Sequence, residues 1–385
     1  MMMAEKVFSN GTILAGEELE AVKGYLTVRD GVVNEIGEGQ PPKRGIDLHR
    51  GFIIPPFVNA HTHLADSVIK DIYAGRKQED VVGARSEKFV ALNSSSEEAK
   101  IKAIESSLHD MIRTGTSAHC DFRESGKAGI HLMRKAKESG VKSILLSRPE
   151  KQDEVKDLLT ISDGIGLPSL NSFSDEEIRK ISALTAKAKK FFSIHVAEVR
   201  NAQKSSIENT GKTEIQRALD FDPSFLIHGT WASDEDLTLM KKKGVPLVIC
   251  GRANHLLSVG APPLNQALEK GVEIWIGTDN VTACQPDMFR ELSFDWALLR
   301  KNNSQVGSEE ARALLKSATV NSSRGLRLPF GALEKGNKAV FTILGRKNNL
   351  INLKDPYVGI VNRARADNIR MVFCPDGEVR KFWLC

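Results

Sequence analysis

The chain has 385 residues, of which 41% are hydrophobic and 27% charged, and its formal net charge is +5. This is an ordinary globular composition, and the length fits one large barrel or two domains. Basic and acidic residues interleave along the chain, and no apolar run reaches the ~20 residues of a membrane helix. We therefore expect neither a nucleic acid nor a membrane as a partner.

The cysteines argue against an extracellular protein. They are five in number, far apart and without a CxxC pair: Cys120, Cys250, Cys284, Cys374 and Cys385. This spacing favours neither a disulfide framework nor a structural zinc knuckle. The first residues, MMMAEKVFSNGTIL, lack the basic and apolar regions of a signal peptide. We expect a cytoplasmic protein.

Both ends of the chain are rich in predicted strands. KVFSNGTIL, residues 6–14, places Asn-Gly between apolar flanks and predicts a hairpin, and residues 24–39 predict a second one around Asp30-Gly31. Residues 338–346 and 369–385 also read as strands, the latter pair joined around Pro375-Asp376-Gly377. β-rich segments thus bracket the chain.

The middle of the chain alternates short apolar strands with amphipathic helices. One helix is predicted between Ser96 and Gly115, a second begins at Ser174 with Glu177 placed for a capping box, and SDED at 233 repeats that device. The predicted strands are 52–58, 116–121, 143–147, 164–167, 191–197, 225–228, 246–250 and 273–279. Eight such alternations predict parallel βαβ units closing into a (β/α)8 barrel. A doubly wound open sheet is the alternative, but no GxGxxG follows the first strand.

Metal-competent and acid–base side chains follow four of the predicted strands, where such a barrel carries its catalytic groups. They are His61 and His63 at the first strand, His195 and Glu198 at the fifth, His228 at the sixth and Asp279 at the eighth. Positions i and i+2 of a strand project to one side, so His61 and His63 make half of a metal site. Each residue alone could be an ordinary core, surface or turn residue. Their joint occurrence favours a metal-dependent active site.

The motifs PPFVNAHTH, HVAE, HG and GTD, in this order, resemble the amidohydrolase superfamily. The likeness is greatest to its metal-dependent deaminases and chlorohydrolases, which include guanine, cytosine and S-adenosylhomocysteine/methylthioadenosine deaminases. It covers nearly the whole chain. It implies an α/β fold in which a (β/α)8 TIM-like barrel spans residues 52–329. A small β-sandwich domain, residues 1–51 plus 330–385, would be built from both chain termini. By analogy it also implies a homo-oligomer.

The resemblance also implies roles for the residues at the strand ends. The implied metal ligands are His61, His63, His195 and Asp279. Glu198 would be the general acid/base, His228 would hold and polarise the attacking water, and Asp279 could accept a proton from it. These roles suit the chemistry, because a divalent metal lowers the pKa of bound water from 15.7 to about 7, giving hydroxide at neutral pH. The metal expected is zinc, with iron as the alternative.

One metal ion is expected rather than two. Binuclear relatives often bridge their metals with a carboxylated lysine at the end of strand four. Here that stretch reads GIGLPSLNSFSD and has no lysine.

Candidates for substrate contacts are Arg148, His119, Arg252 and Asn254. Arg148 ends the third strand, where it could clamp a carboxylate or phosphate, with a salt bridge to a nearby acid as the alternative. His119 lies in the second strand and could line the pocket. Arg252 and Asn254 lie in CGRANHLLSVG after the seventh strand. The segment after His63 is shorter than in the deaminases and chlorohydrolases that the chain resembles, and it lacks the tryptophan that they have there. The sequence therefore does not identify the substrate.

The most favoured function is hydrolytic deamination of a small amino-substituted heterocycle: a purine, a pyrimidine, a pterin or one of their nucleosides. The first alternative is the opening of a cyclic amide, as in imidazolonepropionase. The second is a non-catalytic interaction protein on the same fold, but such a protein would have lost its ligands, and here all six positions are filled.

Overall fold

The structure is a computed structural model that describes residues 5–82, 86–136, 140–301, 303–374 and 379–381. The strands are β1 Lys6–Ala15, β2 Glu20–Arg29, β3 Val32–Glu38, β4 Ile46–Asp47, β5 Phe52–Ile54, β6 Phe57–His63, β7 Thr116–Arg123, β8 Lys142–Ser147, β9 Gly164–Leu167, β10 Phe191–Val196, β11 Phe225–His228, β12 Leu247–Ile249, β13 Ile274–Ile276, β14 Asp279–Asn280, β15 Phe341–Leu344, β16 Ile369–Phe373 and β17 Val379–Lys381.

The α-helices are α1 Gln78–Val82, α2 Glu87–Ser94, α3 Glu97–Arg113, α4 Gly126–Lys135, α5 Val155–Ile161, α6 Asp175–Lys187, α7 Arg200–Thr210, α8 Glu214–Ala218, α9 Asp234–Lys243, α10 Gly251–Leu256, α11 Leu264–Glu269, α12 Met288–Arg300, α13 Ser308–Ser317, α14 Val320–Gly325 and α15 Pro356–Arg363. Short 3-10 helices span Leu64–Val68, Gln152–Glu154, Leu219–Phe221, Asn348–Leu350 and Ala366–Asn368.

Nine strands form the predicted barrel, in the order β13-β12-β11-β10-β9-β8-β7-β6-β14. Neighbouring strands run parallel, and helices alternate with them along the chain. The sheet closes because β14, which follows β13 after two residues, pairs with β6. The predicted fold class, a TIM-like α/β barrel with a separate sheet built from both termini, is confirmed.

The prediction that residues 52–58 form a single strand is wrong. Residues Phe52–Ile54 pair with β1 and β15 in the sheet of terminal strands, whereas Phe57–His63 is a barrel strand. Pro55 and Pro56 separate the two strands. Neither proline can donate a ladder hydrogen bond, so the chain leaves one sheet there and enters the other.

The other sheet joins the two ends of the chain in the order β17-β16-β15-β5-β1-β2-β3, with β4 beside β1. A bridge between Val32 and Lys338 brings the β3 edge back to the chain just before β15. The enclosed core includes Phe8, which packs edge-on against Phe341 and Phe373 at centroid distances of 5.2 and 5.9 Å. The rings of Phe341 and Phe373 stack at 4.8 Å.

The two predicted N-terminal turns have different outcomes. Asp30-Gly31 is a hairpin turn between β2 and β3, and both residues have positive φ, as such turns require. Asn10-Gly11 is not a turn but a bulge inside β1, where the register with β2 shifts. A side chain at Gly11 would lie 2.4 Å from Leu48, so the bulge packs too tightly for a Cβ. The turn predicted at Pro375-Asp376-Gly377 lies outside the described residues.

The predicted helix starts are correct. The hydroxyl of Ser174 accepts from the backbone N–H of Glu177, whose carboxylate accepts from the N–H of Ser174. Ser233 and Asp236 form the same capping box at α9. The helix predicted between Ser96 and Gly115 is α3.

The chain divides into two compact units. One comprises Met1–Val58, Asp110–Ser117 and Asp287–Cys385, and the other comprises Asn59–His109 and Ala118–Pro286. The domain boundaries expected at 51/52 and 329/330 stay predictions. Among the described helices, none is long and apolar enough to cross a membrane.

We expect Phe341→Ala to lower the free energy of unfolding by about 3–5 kcal/mol, because it empties a fully buried site between two aromatic rings. Urea denaturation followed by fluorescence would measure the change. Val90→Ala, at a site 62% exposed, should stay within about 0.5 kcal/mol of the parent protein. Similar losses for both variants would contradict the core described here.

Candidate metal centre

The six residues predicted from the strand ends come together on one side of the barrel sheet. They are His61 and His63 on β6, His195 on β10, Glu198 two residues after β10, His228 at the end of β11 and Asp279 at the start of β14. The four histidines and Asp279 are buried, whereas the Glu198 side chain is 21% exposed.

Four ligand atoms lie at the spacing that a metal ion imposes. The Nε2 of His61 is 3.2 Å from Nε2 of His195 and 3.3 Å from Oδ1 of Asp279, and Nε2 of His63 is 3.5 Å from that same oxygen. Ligands at about 2.1 Å from a tetrahedral metal are themselves about 3.4 Å apart. The four groups therefore fit one divalent ion.

The surroundings of the Nδ1 atoms are compatible with metal binding through the Nε2 atoms. The Nδ1 of His195 lies 2.9 Å from the carbonyl oxygen of Leu167, which only accepts, so Nδ1 carries the proton. The Nδ1 of His63 lies 2.9 Å from a Glu124 carboxylate oxygen in a close but bent contact. Nδ1 of His61 has no hydrogen-bond partner. The Nε2 atoms of His61 and His195 thus face each other at 3.2 Å in the interior, where a divalent cation would accept their lone pairs.

Burial keeps the site in the state that binds a metal. Desolvation lowers the pKa of His61 from 6.5 to about 3 and lowers the pKa of His195 well below its usual value. Burial acts to raise the pKa of Asp279, but its hydrogen bond to His61 and the charges of the histidines outweigh this and lower that pKa. Neutral imidazoles and a carboxylate are the ligand forms that zinc requires.

The structure explains the residue type at two positions of the motifs: Asn59 in PPFVNAHTH and Gly277 in GTD. The amide of Asn59 accepts from the N–H of Thr278 and donates to its hydroxyl, which holds the start of β14 beside β6. A Cβ at Gly277 would lie 2.7 Å from the Cβ of His61. Glycine at 277 therefore lets Asp279 come close to the histidines.

Three strand ends at the site adopt left-handed backbone conformations. The φ angles are 48° at Ala197, 72° at His228 and 60° at Asp279. Non-glycine residues pay an energetic cost there, so surrounding contacts must impose the conformation. At Ala197, the buried carboxylate of Glu214 accepts from the backbone N–H at 2.7 Å. This turn lies between His195 and Glu198.

Glu198 and His228 stand next to the four ligand atoms. One oxygen of Glu198 lies 3.7 Å from Nε2 of His228, and the other accepts from the side chain of Gln78 at 3.0 Å. Nε2 of His228 belongs to a cluster with His61 and Asp279 whose ligand atoms all lie within 4.8 Å of one another. Gln78 was not predicted, because it opens α1 in the segment after His63, which has no motif.

A buried ionic cluster adjoins His63 and was also missed. It consists of Asp66, Lys88, Asp121, Arg123 and Glu124. Glu124 directly follows β7, so the strand-end argument that found the histidines could have found it. Lys88 had no such signal, since it lies on α2.

Arg148 lies where it was predicted, at the end of β8. Its nearest acidic neighbour is Glu124, at 3.8 Å, and its side chain is 19% exposed. Arg148 also contributes to lowering the pKa of His195, which places its charge near the metal ligands.

The other substrate candidates have structural partners. His119 is fully buried, with Nδ1 3.0 Å from the hydroxyl of Thr62 and Nε2 2.7 Å from that of Ser143. Because both ring nitrogens are used, we correct its assignment to a residue of the barrel interior. Asn254 pairs with Nδ1 of His228 at 3.1 Å and donates to Thr230, so it supports His228 and is not placed as a substrate contact. Arg252 is buried on α10 and donates to the carbonyl oxygen of Gln285.

Residues 52–380 match the model of the amidohydrolase family, so the chain belongs to that family. A Methanothermobacter thermautotrophicus protein with the name "Putative aminohydrolase" is 33% identical over 377 residues, covering 94% of this chain and 96% of its own. A 5-methylthioadenosine/S-adenosylhomocysteine deaminase of Pyrococcus furiosus is 26% identical over 413 residues, covering 97% and 94%. The structure of a Xanthomonas campestris adenosine deaminase with bound zinc matches with a TM-score of 0.77 at 16% identity, covering 97% and 92%.

The resemblance inferred from the motifs is thereby confirmed. So is the predicted enzyme class, a hydrolase acting on carbon–nitrogen bonds.

His119 leads to a prediction about stability in acid. Desolvation lowers its pKa from 6.5 to about 4, so between these values the unfolded chain binds a proton that the folded chain does not. Stability falls as pH falls through this window, by at most roughly 3 kcal/mol from this group. We expect His119→Gln to have a flatter dependence of urea stability between pH 7 and 4. The exposed His109→Gln should keep the parent slope, and an unchanged slope in His119→Gln would refute the effect.

Proposed function

We propose that this enzyme deaminates an amino-substituted heterocycle hydrolytically: a purine, a pyrimidine, a pterin or one of their nucleosides. The observation that carries the proposal is the set of four candidate ligand atoms joined by three contacts of 3.2–3.5 Å, with Glu198 and His228 beside it. Relatives across nearly the whole length are named as deaminases, which supports this reaction among those of the family.

His61, His63, His195 and Asp279 would hold one divalent ion, zinc in the first instance and iron as the alternative. Such an ion supplies hydroxide at neutral pH by lowering the pKa of water. The neutral imidazoles and the ionised Asp279 suit this task, because burial and hydrogen bonding already favour these protonation states.

Glu198 is the general acid/base of the proposal. It is the carboxylate next to the ligand cluster that is partly exposed, so it can meet both the attacking water and a substrate ring. It would move both protons of the water in turn, the first to a ring nitrogen and the second, from the added hydroxyl group, to the amine that leaves as ammonia. Gln78 holds one of its oxygens and leaves the other facing His228.

His228 is proposed to hold and polarise the attacking water through Nε2. Its ring is fixed from behind, since Nδ1 pairs with the side chain of Asn254, which Thr230 holds in turn. A ring held in this way can stabilise developing charge without reorganising. Asn254 would therefore act through His228.

Arg148 is proposed as a substrate contact. Among the described residues, its only ion-pair partner is Glu124, at 3.8 Å. Its side chain is 19% exposed, so guanidinium N–H groups remain available to a substrate at the carboxyl end of the barrel strands. A guanidinium there could pair with a carboxylate or phosphate of the substrate.

We further propose a cytoplasmic homo-oligomer that acts on small molecules and binds no nucleic acid. These proposals rest on cysteine spacing, charge pattern and analogy with relatives.

The test is ammonia release by the zinc-loaded protein from a panel of aminopurines, aminopyrimidines, aminopterins and their nucleosides. We expect release from one class. Glu198→Gln should keep its metal and lose about two to four orders of magnitude in turnover, because the four ligands are intact but proton transfer is not. The exposed Glu208→Gln on α7 is the control and should behave as the parent enzyme.

Two outcomes would contradict this proposal. Full activity of Glu198→Gln would remove Glu198 from the acid/base role. If no compound of the panel releases ammonia although elemental analysis confirms the metal, the result would favour hydrolysis of a cyclic amide, which the same metal centre could perform.

Arg148→Ala should raise the Michaelis constant for an anionic substrate at least tenfold with little change in turnover, because it removes binding shared by ground and transition states. Steady-state kinetics on the substrate found in the panel would show this. Arg44→Ala, at an exposed position, should change neither constant. An unchanged Michaelis constant in Arg148→Ala would exclude the contact.

A further inference from the structure

The buried ionic cluster beside His63 has no role in the reaction proposed above. Its central members are Asp66, Lys88, Arg123 and Glu124, whose side chains are at most 4% exposed. Burying charges in this way is costly, so the chain keeps the cluster for a reason other than stability alone.

Glu124 is held from three directions. Its Oε1 lies 2.9 Å from Nδ1 of His63 and 3.0 Å from Nζ of Lys88, while its Oε2 pairs with Nη2 of Arg123. Both oxygens are engaged, so the carboxylate cannot turn away from the ring. Lys88 and Arg123 hold its pKa well below the usual value, even though burial acts in the opposite direction.

The second carboxylate of the cluster explains the position of Lys88. Nζ of Lys88 lies 2.8 Å from Oδ2 of Asp66 as well as 3.0 Å from Glu124. His63, Asp66 and Glu124 together form a trio that could itself bind a cation. The ammonium group of Lys88 sits among these ligands, so the chain provides the cation at this place from its own helix α2.

We propose that Glu124 is a positioning residue that orients His63 toward the metal, and that Lys88 fixes Glu124 for this task. The carboxylate draws the ring proton to Nδ1 and leaves the lone pair of Nε2 facing Asp279, 3.5 Å away. Carboxylates behind ligating histidines act in this way in metal sites. Because Lys88 lies on α2, metal binding and the docking of α2 become coupled. The inference rests on the metal site proposed above.

The first test compares zinc affinities in competition with a chelator. Glu124→Gln should bind zinc about tenfold to a hundredfold more weakly than the parent protein. Its cobalt-substituted form should show an altered visible spectrum, because the His63 ring is free to turn. Asp295→Asn removes another fully buried carboxylate, on α12, and should change neither zinc affinity nor spectrum. A purely structural role of Glu124 would lower the melting temperature of the metal-free protein but leave the spectrum unchanged.

The second test asks whether Lys88 acts through Glu124. Lys88→Met should also weaken zinc binding, and the double variant should be no weaker than Glu124→Gln alone, because the two changes break one chain of contacts. Where Glu124→Gln does not fold, Glu124→Asp keeps the charge but shortens the side chain by one methylene, and should still weaken zinc binding.

The coupling to α2 has its own measurement. Zinc should slow hydrogen exchange of the amides in 87–94 in the parent protein but not in Lys88→Met, since coupling between two sites is reciprocal.

The outcomes separate this inference from the proposed function. A parent protein that binds no divalent metal refutes the metal site itself. A parent protein that binds zinc, together with a Glu124→Gln variant of equal affinity and identical cobalt spectrum, refutes the positioning role alone. Additive losses in the double variant would refute the link through Lys88.

Discussion

The candidate metal centre depends on four buried side chains, from β6, β10 and β14, that the barrel holds within contact distance of one another. The Nε2 atoms of His61 and His195 lie 3.2 Å apart, and Oδ1 of Asp279 lies 3.3 Å from Nε2 of His61 and 3.5 Å from Nε2 of His63. The barrel can hold them there because its strands are ordered by a sheet that closes on itself. The fold therefore brings together side chains that are far apart in the sequence.

The local cost is visible in the backbone and in the surrounding polar contacts. Ala197, His228 and Asp279 all have positive φ, and each bears on the direction of a functional side chain. Glu214 fixes the first of these turns through a backbone N–H, and Asn59 ties the chain just before the third to β6. Such contacts give a carboxamide and a buried carboxylate a structural role beside the candidate catalytic residues.

Much of the site could be predicted because parallel strands present their carboxyl ends on one side of a barrel. His61, His63, His195, His228 and Asp279 were found from this rule alone. The errors have equally local causes. Residues 52–58 were taken as one strand because an apolar run gives no sign of which sheet each half joins. Asn10-Gly11 was taken as a hairpin turn, although the same pair also suits a bulge, and pairing with β2 decided between them. His119 was taken as a pocket residue because it lies in the second predicted strand, but both of its ring nitrogens are hydrogen-bonded to hydroxyl groups.

The sequence by itself determined the order of strands and helices, the capped helix starts and the set of side chains at the strand ends, because these depend on spacing and on residue type. Only the tertiary structure decided which other side chains contact the side chains at the strand ends. Lys88 reaches Glu124 from 36 residues away, and Gln78 reaches Glu198 from 120 residues away. Contacts over such distances leave no periodic trace in the chain, since they depend on how helices and loops pack around the barrel. The candidate metal ligands could therefore be found from the sequence, and Glu124 could have been found by the same rule, whereas Lys88 and Gln78 could not.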